Sequence, residues 1–558
     1  MPRFPYIAET ANRPKRAAHA ALPVKMTNVA QMFAVESFWP LVSSSGTLRT
    51  LNPHPDGNPM TKRELLGQID FGQRIAEEEG AALAGYFVET DNWRRLSGGE
   101  IDVVYGPKGS GKSALYSLLV TRTNDLFDQR ILLAPAENPR GTPAFSDLVA
   151  DPPASEREFV SLWKIYLLSL LCGVFEEYGF RGDSATEVRA FLEGEGLLRG
   201  KSDLKALVRR SFDYVKSFFR PPAAVEYGVK VDPYTQHPTG FTRKIIFAEP
   251  SVEAANAGVR SVDYLLTLAN RALGERDSYT VWIILDRLDV AFVESTELEK
   301  NALRALFRVY LDLAAHDRIR LKIFLRDDIW RRITQSGFRE ASHITRAVTI
   351  SWDRSSLLNL MVQRILHNQP ILRYYQVSRE GVLDTLQNQE DFFYRLFPEQ
   401  VESGTNKSST VDWMLDRTSD GTQHTAPREV IHLLNTLRTR QVERFQLGQP
   451  EPDGDLLFEQ ATFKEALPEV SRVRLTQTLY AEYPALRQSL EELRGKKTSQ
   501  TARTLAAVWK ISPADAEIRA EELVQIGFFE RRSASDAPQY WVPFLYRDAL
   551  EMVQGQAD

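Results

Sequence analysis

Residues 101–120 read IDVVYGPKGSGKSALYSLLV. An apolar, strand-forming run (IDVVY) leads into G-x-x-x-x-G-K-S at Gly106–Ser113, and an apolar, helix-compatible run (ALYSLLV) follows. Each part of the pattern has a physical reason. Gly106, Gly109 and Gly111 permit backbone conformations that a Cβ resists, so successive N–H groups can turn inward around phosphate oxygens. Pro107, Lys108 and Ser110 complete the loop, and Ala114 begins the run behind it. Lys112 places a point charge on the β- and γ-phosphates, and the Ser113 hydroxyl is a ligand for Mg²⁺. A helix N-terminus at this point adds roughly half a positive charge at the anion. Strand before and helix after distinguish the motif from a glycine-rich turn and predict a site for a nucleoside triphosphate with Mg²⁺.

The remaining composition bounds what surrounds that loop. A chain of 558 residues is too long for one core and suggests two to four domains. Hydrophobic residues make up 43% and charged residues 26%, the balance of an ordinary globular protein. A net charge of −5 and a pI near 6.0 argue against coating nucleic acid by bulk positive charge. The single cysteine, Cys172, excludes an intrachain disulfide and a cysteine-based zinc site. It lies in IYLLSLLCGVF, where it reads as a small buried hydrophobe. At eleven residues that stretch is expected to be too short to span a bilayer. With no secretory signal, the expected location is cytoplasmic and no membrane partner is expected. The first 25 residues carry a net charge of +4 and read as a disordered basic tail.

Four segments follow along the chain. Residues 1–60 form the basic arm and a Ser/Gly/Pro-rich linker; 61–352 a P-loop core; 353–450 a helical lid; and 451–558 a C-terminal winged-helix domain. Within the core, FGQRIAEEEGAALAGYFVE from Phe71 reads as helix, and a turn of helix at TDNWRRL stops at Gly98-Gly99. Strands are expected at Arg130 to Leu133, Tyr279 to Leu285, Leu321 to Leu325 and Ala347 to Ile350, with helices between. YTVWIIL is too continuously apolar for a sheet with one wet face, so it reads as a central parallel strand. Pro152-Pro153 precede a long helix around Glu156 to Tyr178. Residues from about 181 to 258 read as an insertion with a helical part and a hairpin or extended arm, and a helix resumes near Ser261 to Ala272. Strands alternating with helices define the fold class as α/β, a parallel sheet flanked by helices.

Asp286 ends the strand VWIIL, the place from which a carboxylate holds the Mg²⁺ water shell near Ser113. Asp289, three residues on, is the candidate for polarising the attacking water, because Asp286 is followed by Arg287 instead of Glu. Arg287 either joins a structural ion pair or takes part in catalysis. Arg326 ends the next apolar strand and either senses the γ-phosphate or pairs with Asp327 or Asp328. Arg428 follows Pro427, which fits the first turn of a helix; it either reaches the nucleotide from the lid or stays solvated. Arg304, Arg308, Arg331 and Arg332 are equivalent candidates for an arginine finger offered to a neighbouring subunit.

GPKGSGKS, LDRLD, FLRDDI and PREVI, in that order, resemble a bacterial group of P-loop ATPases in the AAA+/STAND neighbourhood. That group shares its helical lid and trailing winged helix with origin-recognition-type ATPases, and the resemblance covers about Phe71 to Leu550. It implies an ASCE-type sheet, ATP and Mg²⁺ held by Lys112 and Ser113, Asp286 as the Walker B acid, Arg326 as a first sensor and Arg428 as a second. The missing Glu after Asp286 departs from AAA+ practice and leaves the catalytic base open. LSGGE at Leu96 precedes the phosphate loop and reads as a helix stop, unlike a transporter signature.

In the C-terminal domain, FFERR, SASDAP and QYWVPFL read as strand, turn and strand, the wing of a winged helix. The helix before it, Pro513 to Ile526, carries Asp515, Glu517, Glu521 and Glu522 against Arg519, and phosphates would repel it. Nucleic acid is therefore not the favoured partner. The expected activity is an ATPase switch, slow without a partner, that gates a homo-oligomer or an effector protein. By resemblance alone, its biology would be anti-phage defence or stress signalling. A DNA-associated loader or remodeller and a non-hydrolysing scaffold are the alternatives.

Overall fold

The structure, a computed structural model, describes residues 60–137, 144–145, 148, 153, 155–198, 203–219, 222–231, 238–247, 252–275, 277–288, 295–335, 337–533 and 538–557. The N-terminal arm lies outside the described residues.

The phosphate-loop strand β1 (Val103–Gly106) is buried throughout. After it come β2 (Ile131–Pro135), a hairpin of β3 (Pro222–Val231) and β4 (Pro238–Phe247), then β5 (Thr280–Leu285), β6 (Ile319–Arg326) and β7 (Ala347–Thr349). Five of these form one parallel sheet in the order β2-β5-β6-β1-β7. The strand ending in Asp286 is therefore separated from the phosphate-loop strand by the strand ending in Arg326. That interposed strand makes the core an ASCE-type P-loop NTPase sheet.

Parallel strands must be covered on both faces, and the residues alternate accordingly. Val103, Leu132, Ile283 and Ile323 join one apolar cluster, while Val104, Leu133, Ile284 and Phe324 join another on the opposite face. One charge interrupts the second face. Lys322 is fully buried over the Trp282 ring and donates to the Ile101 carbonyl and to Asp102 Oδ1 at 2.9 Å. Burial pulls its ammonium down to about 8, against the pull of Asp102.

Three expectations need correction. The apolar stretch around Cys172 belongs to the 22-residue helix Glu156–Glu177, which is long and apolar enough to cross a membrane by length and composition. Its most apolar window is 89% buried, because it packs as a central helix of the first cluster beside the helix Thr296–Leu313. The run from Phe71 is broken into Ala76–Glu79, a 3₁₀ turn Gly80–Ala82 and Leu83–Tyr86, and Gly80 takes a φ of 56° at the break. The helix expected from Ser261 begins earlier and runs from Val252 to Glu275, closing the inserted segment.

Beyond β7, helices from Arg354–Leu366 to Pro427–Gln446 form the lid, and Gln460–Arg474 leads out of it through a π-helical turn, Leu475–Leu479. The chain ends in a small sheet of β8 (Lys497–Thr501), β9 (Glu530–Ser533), β10 (Pro538–Trp541) and β11 (Val553–Gln556), in the order β11-β8-β10-β9. Helices Ala502–Trp509 and Pro513–Gln525 lie between β8 and β9, which completes a winged helix. Sequence reading found the wing strands but not β8 or β11.

Lid and winged helix share one continuous apolar core, which also takes in Leu65, Leu66, Ile69 and Phe71 from the start of the described chain. At its centre Arg474 is buried, donating to Glu429 Oε1 at 3.0 Å and to the Tyr546 hydroxyl at 3.4 Å, with Asp420 Oδ2 at 3.7 Å. Close approach is required nearby, since a Cβ on Gly421 would collide with the Phe529 carbonyl. Removing one partner of a buried charge network costs about 3–5 kcal/mol. Arg474→Ala is therefore expected to lower the urea midpoint of the full chain by a corresponding amount, read by circular dichroism.

Candidate functional site

The C-terminal ends of β1, β5 and β6 open onto a cavity of about 300 Å³. Ligands of open α/β sheets bind outside this edge. The phosphate loop forms its floor. Gly109 and Gly111 take φ values of 82° and 99°, and the helix Lys112–Thr121 starts directly behind them. Lys108 to Ala114 line the cavity. Gly106 and Pro107 lie behind it, where their carbonyls accept from Lys112 Nζ at 2.8 and 2.9 Å. The Ser110 hydroxyl is buried without a hydrogen-bond partner in this loop. Trp352 braces the loop from outside, its Nε1 donating to the Ser110 carbonyl at 2.8 Å.

Asp286 lines the same cavity, buried at the end of β5, and Arg287 lines it in a left-handed conformation with φ of 58°. Asp289 lies outside the described residues. Arg326, at the end of β6, also lines the cavity. It does not pair with Asp327, which bonds Arg331 instead. Its Nε and Nη2 donate to the two oxygens of Asp328, each at 2.9 Å. Burial opposes both charges, yet the pair holds the guanidinium's pKa above its ordinary value and the Asp328 carboxyl below its own. Two further partners come from the C-terminal segment: Arg326 Nη2 lies 2.9 Å from Glu482 Oε2 and donates to the Tyr483 hydroxyl at 3.2 Å.

The lid closes the cavity from the other side. Pro427, Arg428 and Ile431 line it at the start of the helix Pro427–Gln446. The contact with the loop is tight, because a Cβ on Gly109 would stand 3.2 Å from Arg428 Cβ and 3.3 Å from Ala426 Cβ. The far end is apolar and aromatic, built from Leu83, Tyr86, Phe87, Val88 and Leu360. Behind Tyr86, Arg364 lies 4.5 Å from the ring centre and bonds Glu79 Oε1 at 2.6 Å and the Phe71 carbonyl at 2.7 Å. Sequence reading missed this end. The aromatic pair at Tyr86-Phe87 was its one visible signal, masked by treating the segment as unbroken helix.

The four finger candidates are not grouped at the cavity. Arg308 meets Glu156 and Glu340, Arg331 meets Asp327, Arg332 meets Glu299, and Arg304 donates to the Ile333 carbonyl. Among the described residues no cluster of three or more His, Cys, Asp or Glu side chains is placed to hold a metal ion. Any metal held between Ser113 and Asp286 would complete its shell with water or with oxygens of a bound phosphate.

No protein-family model matches the chain, and no curated protein matches it. Among solved structures, the ORC2 protein of Aeropyrum pernix in ADPNP and ADP complexes is similar over 87% of this chain and 98% of that one. Its identity is 12% and its TM-score 0.27. At so low a score the fold rests on the sheet order and the loop, and nothing further is drawn from that likeness.

Gly109 tests the closure. A Cβ there adds left-handed strain of about 1–2 kcal/mol and pushes on the lid helix. Gly109→Ala is expected to lower chemical stability by that amount and to weaken binding of a fluorescent ATP analogue more than Gly98→Ala does, as Gly98 has a negative φ and lies off the cavity.

Proposed function

We propose that this chain is an ATP-binding and ATP-hydrolysing switch of the AAA+/STAND type, in which the lid transmits nucleotide state to the winged helix. The observation that carries the proposal is the convergence of four separate segments on one cavity: the phosphate loop, Asp286, Arg326 and Arg428. In this reading the backbone N–H groups of Gly109 to Ser113 and the Lys112 ammonium bind the phosphates, and the apolar end suits a planar base. Ser113 and Asp286 would hold Mg²⁺, which supplies charge neutralisation on the phosphate oxygens. Arg326 and Arg428 report the γ-phosphate from the core and the lid. Asp289 remains the proposed water-polarising residue.

Transmission has a physical route. Glu429, next to Arg428 in the lid helix, is bound by Arg474, which also donates to Tyr546 of the winged helix. A protein partner or a second copy of the chain is favoured over nucleic acid as the receiver. In the wing, Arg532 pairs with Glu530 and stacks on Trp541, and Arg531 pairs with Glu521, so these cations are already engaged within the chain.

Phosphate release by the full chain tests the activity. Lys112→Ala and Asp286→Asn are each expected to reduce the ATPase rate by about two to three orders of magnitude. Turnover undiminished in both variants would refute the assignment of this cavity. Mass photometry with and without ATP tests the switch, and an assembly state indifferent to nucleotide would count against gating of oligomers.

A further inference from the structure

Glu482, in the C-terminal segment, reaches two cations of the candidate site without itself lining the cavity. Its two carboxylate oxygens hold different cations: Oε1 pairs with Lys108 of the phosphate loop, and Oε2 lies 2.9 Å from Arg326 Nη2. Both cations line the cavity. The Arg326 side of the bridge is well covered, with Glu482 and Arg326 side chains 15% and 14% exposed, and Lys108 is 32% exposed. Tyr483 reinforces it through its hydroxyl on Arg326, and Asp328 holds the same guanidinium from the core side. An exposed ion pair would contribute little, whereas the covered Glu482–Arg326 pair beside the cavity is a stronger constraint.

The chemistry of the bridge matches that of the proposed ligand's end. A carboxylate with one oxygen on each of two cavity-lining cations engages the same positive charges that a terminal phosphoryl group would claim, with less charge and fewer oxygens. We infer that the Glu482 carboxylate is an internal competitor for the γ-phosphate, holding Lys108 and Arg326 until a nucleoside triphosphate displaces it. This inference rests on the nucleotide-site reading given above and adds the regulation of that site.

Two consequences follow from thermodynamic linkage. Glu482 weakens triphosphate binding by the same factor by which the triphosphate weakens the hold of Glu482, because the two compete for the same cations. A diphosphate, which lacks the third phosphoryl group, leaves the bridge in place. Release frees the short turn Tyr480–Glu482 and the π-helical turn before it, both part of the path from lid to winged helix.

The experiment uses the full chain with Mg²⁺ and fluorescent analogues of ATP and ADP. Glu482→Gln keeps the shape and removes the charge, and is expected to tighten ATP analogue binding about tenfold while leaving the ADP analogue unchanged. Glu482→Asp keeps the charge one methylene short and is expected to fall between the two. Hydrogen exchange at Leu475–Leu486 should accelerate when ATP is added to the wild type and should already be fast in nucleotide-free Glu482→Gln. Equal ATP affinity in wild type and Glu482→Gln, with binding intact in both, overturns this inference alone. No ATP binding by either chain overturns the nucleotide reading and this inference with it.

Discussion

A glycine-rich loop whose backbone turns through left-handed conformations keeps that shape only where its neighbours hold it, and that constraint organises this molecule. The loop between β1 and its helix can hold its left-handed glycines only because something braces each side of it. Trp352 takes the Ser110 carbonyl from one side, and the lid helix lies against Gly109 from the other. Lys112 satisfies the carbonyls of Gly106 and Pro107 from within. The sheet below supplies rigidity: strands buried on both faces cannot shift without opening two cores at once.

The second organising fact is where the charges sit. Most cations near the cavity are paired across segments distant in the chain, so the site's electrostatics and its tertiary contacts are the same interactions. Arg364 ties the lid's first helix to Glu79 and to the Phe71 carbonyl, and thereby positions Tyr86 at the apolar end. Arg474 ties the start of the cavity-lining lid helix to the winged helix. Movement of any one of these elements carries an electrostatic cost for its neighbours.

Much of the core was legible in the sequence because local chemistry dictates it. Glycine spacing, an apolar strand ending in Asp286 and another ending in Arg326 are local patterns, and the sheet places all three ends together. The rest depends on distant contacts that no periodicity records. Arg326 and Tyr483 are 157 residues apart, and nothing around Tyr483 marks it as a neighbour of β6. The broken segment from Phe71 was misread because Ala- and Glu-rich text has helical propensity throughout, while the positive φ at Gly80 and the buried Arg364–Glu79 pair bend it around the cavity. The helix Glu156–Glu177, by contrast, was legible almost to the residue. What its text does not record is that the charged Glu158 and Lys164 are buried, Lys164 being bound by Asp263 and Asp312.

The π-helical turn at Leu475–Leu479 gives the C-terminal unit a vernier. A π turn carries one more residue than an α turn, so everything after it is rotated by about 100° relative to an uninterrupted helix. Glu482 and Tyr483 follow that turn directly and face Lys108 and Arg326. Their aim is thus a matter of counting. An insertion or deletion of a single residue in this short stretch would leave the composition of the helix nearly unchanged and point a different side chain at the core.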